Sequence, residues 1–143
     1  MVEHRELKKR KHVSPSFTIK RKVSCGNIYG TIEYNEDCTI SRVKFELGKS
    51  GSCRASNLAA IGELVSLLFQ GNYDPLIIID RLKNISCGNA YFLEKDSPDN
   101  SLSCADTIAR VIEEALEILE EKKEKEEKRE KEDSKKESTK VKD

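Results

Sequence analysis

Apolar and polar positions alternate from Ser16 to Leu47 and then recur at helical spacing, so the chain reads as strands followed by helices. Phe17, Ile19 and Val23 mark a first run. Ile28, Tyr29, Thr31, Ile32 and Tyr34 mark a second, and Val43, Phe45 and Leu47 alternate with Lys44 and Glu46 in a third. Asn35-Glu36-Asp37 supplies turn residues, which predicts a hairpin between the second and third runs. After Gly48-Lys49-Ser50-Gly51-Ser52 the period changes. Leu58, Ile61, Leu64, Val65 and Leu68 fit a helix, with Ser52 or Ser56 as its cap and Gly71-Asn72 as its end. Asp74-Pro75 predicts an N-cap followed by a short helix to about Lys83, with Leu76, Ile79 and Leu82 facing inward. Gly88 to Asn100 reads as a mostly polar loop, broken by Tyr91-Phe92-Leu93. A last helix starts near Ser103, with Ile108, Val111, Ile112, Ala115, Leu116 and Leu119 on one face. The expected fold is α+β: a small antiparallel sheet with two or three helices packed on one face, ending in a long charged C-terminal helix or tail.

Charge divides the chain into three parts. Residues 1–22 carry eight Lys/Arg against two Glu, and the central stretch reverses that balance. From Glu121 to Asp143, nineteen of 23 residues are charged. We expect a flexible basic arm over residues 1–15, one domain over 16–120, and a Lys/Glu-rich tail over 121–143. In the tail, opposite charges at i and i+4, such as Glu121 and Lys125, favour helix, but no apolar stripe remains to pack. The basic cluster Lys8-Lys9-Arg10-Lys11 lacks interleaved aromatics and reads as a solvated arm, so nucleic-acid binding is not expected. No apolar run reaches membrane-spanning length and no secretory signal is recognisable, so the expected location is cytoplasmic. There the five cysteines would be thiols or metal ligands rather than disulfides.

Both histidines, His4 and His12, lie in the basic arm, leaving the domain without a base for a Cys-His or Ser-His-Asp arrangement. Gly48, Lys49, Ser50 and Gly51 suggest an anion or nucleotide site in a strand-to-helix turn. A P-loop would need glycine where Val43 stands, and a tight turn that simply requires glycine is the favoured reading of the run. The cysteines say more. Cys25 follows the first strand, Cys53 and Cys104 stand near predicted helix N-termini, and Cys87 ends Lys83-Asn84-Ile85-Ser86-Cys87. Such positions suit thiolates and zinc. The gaps of 28, 34 and 17 residues are not those of a zinc knuckle, so small buried core cysteines remain the alternative. Cys38, in the hairpin turn, has no expected role.

Five blocks give these segments a resemblance. They are Ser24-Cys25-Gly26-Asn27-Ile28-Tyr29, Leu47-Gly48-Lys49-Ser50-Gly51-Ser52-Cys53, the run from Ala60 to Leu67, the run from Ile77 to Cys87, and Leu102-Ser103-Cys104-Ala105-Asp106-Thr107-Ile108-Ala109. In order and spacing they resemble the TSCPD domain at the C-terminal end of cobalamin-dependent ribonucleotide reductases, over about residues 20–120. The resemblance implies that Cys25, Cys53, Cys87 and Cys104 act together, as a zinc site, and that Asp106 caps the last helix or orients a ligand. Ala105 replaces the proline of the family name, and Gly30 stands where a β-branched residue is usual. The reductase barrel, its cobalamin site and the terminal Cys-x-x-Cys segment have no counterpart in these 143 residues. The implied role is a stand-alone accessory module, with a reductase catalytic chain as partner and deoxyribonucleotide supply as context. Two other readings stay open: a nucleotide- or nucleic-acid-binding protein using Lys49 and the basic arm, and a small thiol redox protein.

Overall fold

The computed structural model describes residues 14–23, 26–48, 53–88 and 100–140. Three strands, β1 (Ser16–Val23), β2 (Gly26–Tyr34) and β3 (Ile40–Leu47), precede three helices, α1 (Cys53–Gln70), α2 (Pro75–Leu82) and α3 (Cys104–Lys140). The sheet is an antiparallel meander in the order β1-β2-β3, with Ile19 opposite Gly30 and Gly30 opposite Phe45. The expected α+β class is what the chain adopts. Alternation decides the faces: Ile19, Val23, Ile28, Ile32, Val43 and Phe45 are buried, while Lys20, Lys44 and Glu46 face outward. Against the inner face lies α3, whose Ile108, Ala109, Val111, Ile112 and Ala115 are fully buried. It also packs on α2.

Gly30 permits this approach. A Cβ added there would lie 2.6 Å from Val111 Cγ1 and 3.2 Å from Phe45 Cε1, so α3 occupies the space a larger residue would need. The departure noted in the sequence therefore has a packing cause.

The predicted hairpin forms at Asn35. The Cys38 N–H donates to the Asn35 carbonyl, and Cys38 has φ 62°, a left-handed conformation that usually falls to Gly or Asn. Asn72 plays the matching role at the end of α1, with φ 59°. Its N–H donates to Phe69 O, and the Tyr73 N–H donates to Leu68 O, which together satisfy two terminal carbonyls. Asp74 caps α2 as expected, accepting from the Leu76 N–H at 2.9 Å, with Pro75 at the first helical position. Ser56 is not the cap of α1. It lies inside the helix and donates to Cys53 O, while Ser52 is outside the described residues.

α1 was expected to bury one stripe and instead runs along β3, covering the edge of the sheet. Val43 turns its N–H and carbonyl away from β2. Ser66 Oγ accepts the N–H at 3.0 Å and lies 2.9 Å from the carbonyl, and Gln70 Nε2 donates to Ser41 O. The helix thereby hides an edge that could template aggregation. This orientation buries Leu58, Gly62, Val65, Ser66 and Phe69 but leaves Leu64 and Leu68 exposed, contrary to the sequence expectation. Leu76 of α2 is likewise exposed, and Ile78 and Ile79 are the buried pair. Ser66→Ala should cost about 1–3 kcal/mol in urea denaturation, because the buried Val43 N–H loses its acceptor.

α3 continues through the charged tail to Lys140. Contact does not stop at Leu119 as the apolar pattern suggested. Lys122 Nζ donates to the Tyr34 hydroxyl and sits 4.6 Å from that ring's centroid, and Cys38 Sγ lies 4.0 Å from Glu126. Burial pushes the Cys38 thiol above its ordinary pKa, and Glu126 adds to that. No described helix is long and apolar enough to cross a membrane.

Candidate functional site

The start of α3 gathers the residues of the family motif. Ser103 is positioned as the N-cap: its Oγ accepts the Asp106 N–H at 3.1 Å and donates to Ile85 O. Its own carbonyl accepts from Thr107 N and Thr107 Oγ1. Ser101 and Thr107 join hydroxyls beneath this turn, both buried.

Asp106 is the hub. Its side chain has no exposed surface, yet it accepts from Asn84 N at 2.9 Å, Leu102 N at 3.0 Å and Arg110 Nε at 2.8 Å. Burial alone would raise its pKa; the Asn84 N–H, the Arg110 guanidinium and the Leu102 N–H outweigh that and hold the carboxyl below the usual carboxylate range. Lys83 leaves α2 in an extended conformation with ψ 142°, which turns the following Asn84 N–H out of the helical direction and toward the carboxylate. Asp106 thus ties the segment leaving α2 to the segment entering α3. Arg110, four residues on, belongs to the same arrangement; its i, i+4 spacing from Asp106 was the available sequence signal.

Through this tie Cys87 and Cys104 come to one place. The Cys87 N–H donates to Leu102 O at 3.3 Å, so residues 85–87 run beside 102–103. Both cysteines line a cleft of about 350 Å³ with Arg54, Ile85, Ser103 and Ala105. Cys87 is exposed and Cys104 is half-buried at the first position of α3. Cys53 is exposed as the first residue of α1, next to the cleft residue Arg54. Cys25 lies outside the described residues, as do Lys49, Ser50 and Gly51 of the proposed anion turn. Gly48, the last described residue of that turn, donates its N–H to Asn27 O. The loop carrying Tyr91-Phe92-Leu93 and the basic arm are also outside them.

Among the described residues no three His, Cys, Asp or Glu side chains are grouped closely enough to hold a metal ion. The described thiols alone therefore do not form a ready-made cage. What fits a zinc-tetrathiolate is the electrostatics of the cleft. Such a centre carries net negative charge, and both Arg54 and the positive end of α3 face it.

Fold and cleft together define a small α+β module whose motif residues serve a structural junction beside two cysteines. A model of the TSCPD domain matches residues 4–116, and the chain belongs to the TSCPD domain family. This domain is associated with ribonucleotide reductases. No curated protein and no solved structure matches the chain.

Proposed function

We propose that this chain is a non-catalytic accessory module of ribonucleotide reduction, which engages a reductase catalytic chain and supports deoxyribonucleotide supply. The observation that carries this reading is the family match over residues 4–116. The chemistry of the described residues supports it. The motif carboxylate, Asp106, is fully engaged by three donors and buried, so it is suited to shaping a surface rather than to moving a substrate proton.

Cys25, Cys53, Cys87 and Cys104 are the proposed ligands of a structural zinc. Two of them line one cleft and a third begins the helix beside it. Bound there, the ion would supply cross-linking of β1–β2, α1 and α3, not chemistry on a substrate. Arg54 would offset its negative charge.

Affinity purification of the tagged chain from its native host should recover a reductase catalytic chain. Adding the purified module should change that enzyme's turnover. Failure to recover any reductase, together with unchanged turnover, contradicts the proposal.

A further inference from the structure

Among the described residues, the outer face of α1 and α2 is broadly apolar. Leu64, Leu68, Tyr73 and Ile77 line a groove of about 330 Å³ between the two helices. On α1, Leu67 adjoins Leu64 by helical spacing, and on α2, Leu76 directly precedes Ile77. Leu64 is 62% exposed, Leu76 67%, Ile77 55% and Leu67 50%. At roughly 200 Å² for a large side chain, the six expose on the order of 600 Å². That is the upper end of the patches seen on monomers, which are often functional. α1 carries apolar residues on a second side, Leu64, Leu67 and Leu68, besides the side that β3 covers.

We propose that this face joins a second copy of the chain across a two-fold axis. The charges favour that occupant. Asp74 and Arg81 both line the groove and lie at opposite ends of α2, seven residues and therefore about two turns apart on one side of the helix. An antiparallel crossing of α2 on its copy, centred near Ile77 and Ile78, sets Arg81 of each copy opposite Asp74 of the other. One patch then meets itself with both charge pairs satisfied, as an isologous interface requires. One oxygen of Asp74 accepts the Leu76 N–H, and the carboxylate keeps further acceptor capacity for a guanidinium. The apolar area, with its charged ends, approaches the roughly 800 Å² per partner of a stable interface.

Sedimentation of the full chain tests this. The wild type should sediment at twice 16.2 kDa at a loading of about 100 µM, enough to populate a dimer of micromolar Kd. Leu64→Glu and Ile77→Glu change exposed side chains, so circular dichroism should stay that of the wild type while the dimer Kd rises at least about tenfold. Arg81→Glu, which replaces a charge without touching the core, should weaken the dimer likewise. A wild-type chain that stays monomeric at that concentration overturns the proposal. So does a dimer that all three folded variants retain unchanged. Neither result bears on recovery of a reductase.

Discussion

Asp106→Ala should lower the unfolding free energy by about 3 kcal/mol, more than any other change at the motif. The loss comes from donors left behind. The N–H groups of Asn84 and Leu102 and the Arg110 guanidinium all point at one carboxylate with no exposed surface. Each unsatisfied buried donor costs about 1–3 kcal/mol. All three hydrogen bonds are part-buried and their donors can regain some water, so the estimate is held well below the sum of three full penalties. Asp106→Asn retains one acceptor and should lose less.

The same residue sets an acid limit. Its folded pKa is depressed, so the free molecule holds a carboxylate that the unfolded chain protonates first as pH falls. Its contribution is complete above the unfolded value of about 4 and disappears as pH drops through the lower folded value. Urea midpoints between about pH 2 and 6 should therefore fall more steeply for the wild type than for Asp106→Asn.

Gly30→Val is the second large effect, at about 1–3 kcal/mol or more of destabilisation. The new Cβ would meet Val111 Cγ1 at 2.6 Å, inside any normal contact, and neither neighbour can move easily, since Val111 and Phe45 are 0% and 1% exposed. The clash outweighs the gain in strand propensity. Because one methyl makes the clash, Val111→Ala should relieve it. The double variant should be more stable than the two single losses predict, by about 1 kcal/mol or more in a double-mutant cycle. Additive losses would place the cost of Gly30→Val elsewhere than at α3.

The strands, the hairpin at Asn35 and the cap at Asp74 were legible because each is a local signal: alternation, turn residues, an Asp-Pro start. α3 was legible through Leu119 because its stripe repeats at one period. The inward face of α1 was not. An apolar helix with residues on two sides does not say which side meets the sheet, and here Ser66 and Gln70 decided it by pairing with the backbone of β3. Leu64 and Leu76, expected on helical stripes that pack inward, are the consequence. The role of Asp106 was half legible. Its position near a helix start suggested a cap, but its partners Asn84 and Leu102 are brought by tertiary structure, and Ser103 is the actual cap. The meeting of Cys87 with Cys104 could not be read from a gap of 17 residues, because it depends on that same tie.

The thiols are tested most directly by metal analysis and zinc X-ray absorption on protein purified without chelator. The proposed assembly of Cys25, Cys53, Cys87 and Cys104 predicts about one zinc per chain with an all-sulfur shell near 2.3 Å, and loss of folded structure when the metal is stripped. A fully folded chain without metal would contradict it, and so would zinc bound through nitrogen or oxygen.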